Sequence, residues 1–265
     1  YSTVYSGQRS IGVQITMRKH WIQWLGLLGL GLCSSSHAVA DEIRIAVATN
    51  FVAGMNDLVQ RFELETEHSV LVSSGSTGNH YAQIKNGAPF EAFFAADTER
   101  PRLLEQEGLA VPGSRFRYAV GRLVLWSPEP GYVDDDGGVL ENGDFRRLAI
   151  ANPNLAPYGE AARETLTARG LWEPLTTRLA MGQDIGQAYA FVQTRNAELG
   201  FVALAQLRQP GKQIEGSYWI VPESLHRPIE QEAVLLRDVP AARMFLEFAK
   251  SAEAHEIIRS YGYEP

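Results

Sequence analysis

The sequence predicts an α/β protein with two lobes, and three observations carry this prediction. Strand-like and helix-like patterns alternate along the chain after residue 40. These patterns form two separate α/β series, one before residue 118 and one after residue 147. Long strand-like runs lie between the two series and again near residue 230, so we expect the chain to cross between the lobes more than once.

The first series has the βαβαβ order of a mostly parallel sheet covered by helices on both faces. Its predicted elements are a strand at 43–48, a helix at 51–65, a strand at 69–73, a helix at 81–86, an apolar strand at 92–96 and a helix through Leu103 and Leu104. Asp97 follows the third strand, and we interpret its carboxylate as a helix cap.

The second series follows a long strand-like run and an acidic, glycine-rich turn. Its predicted elements are the long strand at 118–127, the turn at 134–143, a strand at 148–151, helices at 159–168 and 186–195, a strand at 200–205, a second long strand at 228–238 and helices within 240–260. We predict that one lobe comprises 41–120 and 229–265, and that the other comprises 121–228.

The first forty residues have the features of a targeting segment. A basic stretch starts at Met17, an apolar run of about twelve residues follows at 21–32, and an Ala-x-Ala pattern ends at Ala40. The apolar run is too short to span a bilayer as a stable helix. We therefore predict a signal peptide at 17–40, cleaved after Ala40, and interpret 1–16 as an upstream extension.

Cysteine and charge narrow the class of protein. Cys33 leaves lipid anchoring as an alternative, which Leu32 disfavours because a small residue normally precedes a lipidated cysteine. Beyond residue 40 there is no cysteine, which excludes disulfides and thiolate chemistry there. That part has 21 basic and 31 acidic residues, a formal net charge of −10. Such a chain does not bind nucleic acid by bulk electrostatics, and it can hold an anion only through local dipoles.

Four strand-to-helix junctions carry small polar residues that suit such a site. They are Thr49-Asn50, the "SSGSTGN" segment at 73–79, the "NPNLAPYG" segment at 152–159 and the junction at 183–187. Helix N-termini expose unpaired N–H groups, and hydroxyls or glycines beside them let an anion approach the backbone. Ser, Thr and Asn also serve as ordinary N-caps, and that alternative stays open for each junction.

Enzyme motifs are weak in this sequence. The 73–79 segment lacks both the Gly-x-Ser-x-Gly pattern of a nucleophile elbow and the Gly-Lys-Ser/Thr of a nucleotide-binding loop. The histidines show no metal-ligand spacing, and the Asp134–Asp136 run lacks the spacing of a calcium loop. We therefore predict no catalytic residue and no direct cation site. A secreted hydrolase that uses Ser76 or Thr77, with His80 as base, is the alternative.

The sequence resembles the periplasmic molybdate-binding proteins of ABC transporters. The similarity covers about 41–265, and its matching stretches are "AVATNF", "SSGSTGNHYAQIKNGAPFEAFFAAD", "NPNLAPYG", "DIGQAYAFV", "ELGFVALAQL" and "YGY". The resemblance implies a type II periplasmic binding protein fold with the ligand between the lobes, a periplasmic location, no cofactor and delivery of molybdate or tungstate to a membrane permease. It also implies a monomer.

The resemblance assigns ligand contacts to six residues. They are Thr49, Asn50, Ser76, Thr77, Tyr158 and Ile185. Ile185 would contribute its backbone N–H, whereas Tyr158 could use either its hydroxyl or its backbone. Thr77 stands where the family more often has serine, and Tyr158 stands where many relatives have a small residue.

A site made only of hydrogen-bond donors suits a fully deprotonated dianion such as molybdate. Monohydrogen phosphate carries a proton that needs an acceptor, so such a site disfavours it. Sulfate is smaller, and its rejection depends on cavity size. We expect the lobes to close by a hinge near 119–121 and 222–230. A binding protein for sulfate, phosphate or a small organic acid is the alternative within the binding class.

Overall fold

Strands from separate parts of the chain form two five-stranded sheets, each flanked by helices. The computed structural model describes residues 41–265, and the predicted extension at 1–16 and signal peptide at 17–40 lie outside the described residues. No helix within 41–265 is long and apolar enough to span a membrane.

The first sheet and its helices form lobe I. Its strands are β1 (Glu42–Ala48), β2 (Ser69–Gly75), β3 (Ala92–Phe94), β4 (Phe116–Gly121) and β10 (Ile229–Leu235). Its helices are α1 (Val52–Glu65), which continues a 3₁₀ turn at Thr49–Phe51, α2 (Thr77–Lys85), α3 (Glu99–Gln106), α9 (Pro240–Ala249) and α10 (Ala252–Ser260). The strand order is β2-β1-β3-β10-β4, and β1 pairs in parallel with both β2 and β3.

The second sheet and its helices form lobe II. Its strands are β5 (Leu123–Ser127), β6 (Leu148–Ala151), β7 (Leu179–Gly182), β8 (Leu199–Ala203) and β9 (Ser217–Ile220). Its helices are α4 (Val139–Asn142), α5 (Pro157–Ala168), α6 (Trp172–Leu175), α7 (Ile185–Gln193) and α8 (Leu204–Leu207), with short 3₁₀ turns at Thr176–Arg178 and Glu223–Leu225. The strand order is β7-β6-β8-β5-β9, and β6 pairs in parallel with β7 and β8.

The predicted two-lobed α/β fold is confirmed, and each sheet is mixed. In lobe I the reversed strand is β10, which pairs antiparallel with β3 and β4. In lobe II it is β5, which pairs antiparallel with β8 and β9. These are the strands by which the chain enters each lobe from the other. The domain boundaries given above stay a prediction.

The predicted long strand at 118–127 is wrong as a single element. The chain leaves lobe I at the end of β4, passes Arg122 and enters lobe II as β5, so the run belongs to two sheets. Both halves are apolar and largely buried, and apolar patterning alone does not show where a strand changes sheet.

Helix α2 begins four residues earlier than predicted. The "SSGSTGN" segment is not a loop: Ser73–Gly75 belongs to β2, Ser76 is the N-cap, and Thr77 opens the helix. The Ser76 hydroxyl accepts a hydrogen bond from the backbone N–H of Asn79 at 3.2 Å, and this cap stabilises the early start. As a result, the hydroxyls of this segment sit on the first helical turn.

Two short strands, β7 and β9, were not predicted. Both lie at edges of the second sheet, and their exposed apolar side chains include Met181, Tyr218 and Ile220. Four residues with weak alternation give little pattern for a sequence-based prediction. The core of lobe II lies around the central strands, and that of lobe I around Phe51, Phe94 and Phe245.

Candidate anion-binding site

The six residues that the sequence predicts as ligands line one cavity. Its lining consists of Ala48, Thr49, Asn50, Gly75, Ser76, Thr77, Ala96, Ala156, Pro157, Tyr158, Asp184 and Ile185. The cavity lies at the carboxyl ends of β1 and β2 and at the N-terminal ends of α2, α5 and α7, so both lobes contribute to it.

The cavity is small. The space between its lining atoms is about 190 Å³. One water molecule takes up about 30 Å³ in the liquid, so this space corresponds to a few of them. The cavity therefore suits a single compact ion and excludes an organic molecule of ordinary size.

Helix α2 presents two hydroxyls and one amide at the cavity. Thr77 Oγ1 accepts from the backbone N–H of Ala96 at 3.0 Å, and Ser76 Oγ accepts from that of Asn79. Because each oxygen already accepts, each hydroxyl hydrogen is left to donate. Gly78 N donates to Leu155 O at 2.8 Å, so Thr77 N is the remaining amide of this first turn.

Thr49 supplies the clearest sign of a ligand. Its Oγ1 is buried and has no hydrogen-bond partner among the described residues. Leaving a buried hydroxyl unpaired costs about 1–3 kcal/mol, so folded proteins rarely do so without a reason. Thr49 opens the 3₁₀ turn that leads into α1, and the first amides of such a turn have no partner within it.

Helix α5 contributes one backbone amide. Pro157 occupies the first helical position and has no N–H. The backbone amides of Ala156 and Gly159 already have partners. Ala156 N donates to Asn152 O at 2.9 Å, and Gly159 N donates to Ala156 O at 2.9 Å. Tyr158 N is therefore the amide that this helix start leaves for a ligand.

Helix α7 begins with Asp184 as its N-cap. Asp184 Oδ1 accepts from Gln187 N at 3.0 Å, and Ile185 follows as the first helical residue with its N–H unpaired by the helix. Asp184 lines the cavity. Sequence reasoning placed no acidic residue among the ligands. A carboxylate oxygen can accept the proton of a protonated oxyanion.

The side chains of two predicted ligand residues make their hydrogen bonds within the protein and do not donate to the cavity. Both hydrogens of Asn50 Nδ2 are used, by Gln231 Oε1 at 2.8 Å and by the Tyr263 hydroxyl at 3.0 Å. The Tyr158 hydroxyl accepts from Gln231 Nε2 at 3.2 Å and makes a second hydrogen bond, to the Tyr263 hydroxyl. Asn50 and Tyr158 therefore offer the cavity their backbone amides.

The phenols beneath the cavity stay protonated at neutral pH. Burial raises the pKa of Tyr118 and Tyr158 well above the ordinary value for tyrosine. Burial also raises the pKa of Tyr263, and hydrogen bonds from Asn50 and Tyr158 oppose the rise. This layer is therefore neutral and adds no charge of its own beneath an anion.

Contacts between the lobes close the cavity. The hydrogen bond from Gly78 N to Leu155 O joins α2 to the loop before α5. A Cβ on Gly186 would lie 2.4 Å from the Thr49 methyl carbon, so glycine is needed where α7 meets lobe I. Arg100 Nη2 donates to Asn154 O at 3.3 Å, which adds a link at the rim.

Asp97 takes the capping role predicted for it. Its Oδ1 accepts from Arg100 N at 3.0 Å at the start of α3, and its other oxygen pairs with the Arg100 guanidinium. Burial raises the pKa of Asp97, and Arg100 opposes this rise. Asp97 thereby holds the arginine that reaches across the rim.

The hydrolase alternative gains no support from the geometry. A nucleophilic serine would bond its base, but Ser76 Oγ accepts from the Asn79 amide. His80 Nδ1 lies 3.2 Å from Gln83 Oε1. Burial lowers the pKa of His80, and its bond to Gln83 opposes this. Within residues 41–265 no group of three or more His, Cys, Asp or Glu side chains could hold a metal ion.

Sequence reasoning missed the residues that support the site from below. Gln231, Tyr118 and Tyr263 come from β10, β4 and the segment after α10, far from the junctions in sequence. The "YGY" stretch gave a signal for Tyr263 through the resemblance alone. Nothing in the pattern of 228–238 distinguishes Gln231 from an ordinary polar strand residue.

The chain matches known proteins over nearly all the described residues. The family model for bacterial extracellular solute-binding proteins matches 43–264. The molybdate-binding protein ModA of Azotobacter vinelandii is 52% identical over 89% of this chain and 94% of that protein. The ModA of Rhodobacter capsulatus is 48% identical over 85% of this chain and 89% of that protein.

The fold comparison agrees with the sequence comparison. The structure of the Azotobacter vinelandii periplasmic molybdate-binding protein superposes with a TM-score of 0.82 at 43% identity, covering 84% of this chain and 99% of that one. A sulfate-binding protein from Mycobacterium tuberculosis shares the fold at 12% identity and a TM-score of 0.67. The chain belongs to the bacterial extracellular solute-binding proteins and, within them, to the molybdate-binding proteins of ABC transporters.

Proposed function

We propose that this chain captures molybdate in the periplasm and delivers it to the permease of an ABC transporter. The observation that carries the proposal is the buried, unpartnered hydroxyl of Thr49, in a cavity where the N-terminal ends of α2, α5 and α7 meet. Relatives at 52% and 48% identity are molybdate-binding proteins, which supports the choice of ion.

The proposed donors are three hydroxyls and four backbone amides. The hydroxyls are those of Thr49, Ser76 and Thr77, and the amides are those of Asn50, Thr77, Tyr158 and Ile185. Each hydrogen bond to a charged group contributes about 1.5–3 kcal/mol. After the costs of desolvating the ion and closing the lobes, this set suffices for nanomolar affinity, about −12 kcal/mol.

The chemistry of the donor set favours a tetrahedral dianion without protons. Fixed dipoles in a closed cavity replace the water around the ion, and no basic side chain is needed to neutralise it. The small volume sets an upper limit on size, and we propose that it also disfavours sulfate, which fills the cavity less well. Tungstate has nearly the size of molybdate, and we expect it to bind as well.

Calorimetric titration of the purified, ligand-stripped protein with molybdate, tungstate, sulfate and phosphate tests this proposal. Nanomolar binding of molybdate and tungstate with weak binding of sulfate supports it. Equal binding of molybdate and sulfate would contradict the proposed selection by size, and no binding of any of the four would refute the function.

Phosphate is the second candidate, and Asp184 is the observation that favours it. A carboxylate at the lining could accept the proton of monohydrogen phosphate. An Asp184→Asn variant separates the two ions. If molybdate is the ligand, the variant binds it at least as tightly, because a negative charge near the anion is removed. If phosphate is the ligand, the variant loses phosphate affinity.

A further inference from the structure

A buried hydrogen-bond network lies beneath the cavity and joins the two lobes. Its centre is Gln231 of β10, which is fully buried and does not line the cavity. Gln231 Oε1 accepts from Asn50 Nδ2 at 2.8 Å and from the Tyr118 hydroxyl at 2.9 Å. Gln231 Nε2 donates to the Tyr158 hydroxyl at 3.2 Å. Asn50 and Tyr118 belong to lobe I, whereas Tyr158 belongs to lobe II.

The crossing between the lobes is shaped to admit the Tyr158 phenol. A Cβ on Gly121 would lie 2.0 Å from the Tyr158 hydroxyl oxygen and 2.6 Å from Gln231 Nε2. Real Cβ atoms essentially never approach so closely. Gly121 ends β4 at the point where the chain leaves lobe I. The missing side chain therefore leaves the space through which the phenol reaches Gln231.

Asn50 connects this network to the ligand loop. Its side chain donates to Gln231 and to the Tyr263 hydroxyl, and its carbonyl accepts from the same hydroxyl at 2.8 Å. These three bonds fix Asn50, the residue that follows Thr49. A change in the position of Gln231 therefore bears on the loop that carries Thr49 and the Asn50 amide.

We propose that Gln231 is a positioning residue for the closed form and that the Tyr158 hydroxyl acts on Gln231 instead of on the anion. When the lobes separate, the bonds of Gln231 to Asn50 and Tyr118 persist, because all three residues lie in lobe I. Of the three bonds of Gln231, the one to Tyr158 is the one that opening breaks, together with the bond between the Tyr158 and Tyr263 hydroxyls. The Gln231 side chain thus takes part both in closure around the ion and in fixing the loop that carries Asn50. This inference rests on the proposed function, because it takes an oxyanion as the ligand that closes the lobes.

Tyr158→Phe tests the inference, and Tyr261→Phe is its matched control. Both tyrosines are buried. The Tyr158 hydroxyl bonds Gln231 across the lobes, whereas the Tyr261 hydroxyl donates to Asp57 Oδ2 at 2.7 Å within lobe I. We expect Tyr158→Phe to raise the dissociation rate of molybdate about tenfold, because buried hydrogen bonds of the closed form are lost. The melting temperature of its ligand-free form should stay near that of the wild type.

The control is expected to behave in the opposite way. Tyr261→Phe removes a bond that exists in both open and closed forms, so it should lower the melting temperature equally with and without molybdate. Its dissociation rate should match the wild type. If the two variants change the dissociation rate equally, or if Tyr158→Phe leaves it unchanged, the inference is wrong.

A double-mutant cycle with Gln231→Met tests whether the Tyr158 hydroxyl acts through Gln231 or contacts the ion directly. If the hydroxyl acts through Gln231, adding Tyr158→Phe to Gln231→Met causes little further loss of affinity. Additive losses would show an independent contact and overturn the inference. The two phenylalanine variants decide the question even when Gln231→Met does not fold.

Titration of the wild type distinguishes failure of the proposed function from failure of this inference. A wild type that binds none of molybdate, tungstate, sulfate and phosphate refutes the proposed function and this inference together. A wild type that binds molybdate, with a Tyr158→Phe variant of unchanged dissociation rate, refutes the inference alone.

Discussion

Replacing Thr49 by valine removes one hydroxyl from the cavity and leaves its shape nearly unchanged. Valine keeps the methyl group that packs against Gly186 and the branch at Cβ, so the backbone preference of the residue is preserved. The lost group is the buried oxygen that has no partner within residues 41–265. The substitution therefore isolates a single proposed bond to the ion.

The expected loss of affinity follows from the energy of a charged hydrogen bond. Such a bond contributes about 1.5–3 kcal/mol, and about 1.4 kcal/mol corresponds to a factor of ten. Thr49→Val should therefore weaken molybdate binding about tenfold to a hundredfold. The ligand-free protein should remain as stable as the wild type, because no protein hydrogen bond is lost.

Calorimetric titration with molybdate and thermal unfolding without it measure the two quantities separately. Thr165→Val is the matched control, since Thr165 is fully buried in α5 and its hydroxyl bonds Ala161 O at 2.8 Å. The control should lower stability and leave affinity unchanged. Wild-type affinity in Thr49→Val would refute the role given to this hydroxyl and with it the main support for the proposed function.

Two further substitutions test other parts of the site, and a third tests the effect of a buried histidine on stability. Thr77→Ala removes a donor from the first turn of α2 and should weaken molybdate binding about tenfold to a hundredfold in the same titration; unchanged affinity would contradict its assignment. Gly186→Ala places a Cβ against the Thr49 methyl group and should lower affinity at least about tenfold by holding the lobes apart, with smaller contraction on adding molybdate in small-angle X-ray scattering. Burial lowers the pKa of His80, so the unfolded chain binds its proton more readily, and the free energy of unfolding should fall as the pH drops below about 6.5. His80→Gln should flatten this part of the pH profile in chemical denaturation, and a profile identical to the wild type would show that His80 is not its source.

The sequence predicts the parts of this site that depend on local patterns. Helix starts are marked by capping residues and by the switch from strand to helix spacing, so the junctions at Thr49, Ser76, Tyr158 and Ile185 could be located without a structure. Topology then brings them together, because the carboxyl ends of neighbouring parallel strands meet at one edge of a sheet. Their convergence in one cavity is what the structure adds.

The parts that could not be predicted depend on long-range geometry. Whether the Tyr158 phenol or its amide faces the cavity depends on Gln231 and Gly121, which local pattern does not link to it. The break in the 118–127 run has the same cause, since both halves read as strand and only their partners differ. Edge strands such as β9 were missed because four residues are too few to establish an alternating pattern.

The bond between Asn50 and Tyr263 has a consequence for the order in which the protein assembles. These residues are 213 positions apart, and the bond fixes the loop that carries Thr49 and the Asn50 amide. Contacts of such separation form late, because a long segment must first be ordered. The core of lobe I itself includes Phe245 and Tyr263, whereas lobe II runs without interruption from β5 to β9. Lobe II can therefore form before the ion site, and intermediates in which Tyr263 has not docked should have no high-affinity site for the ion.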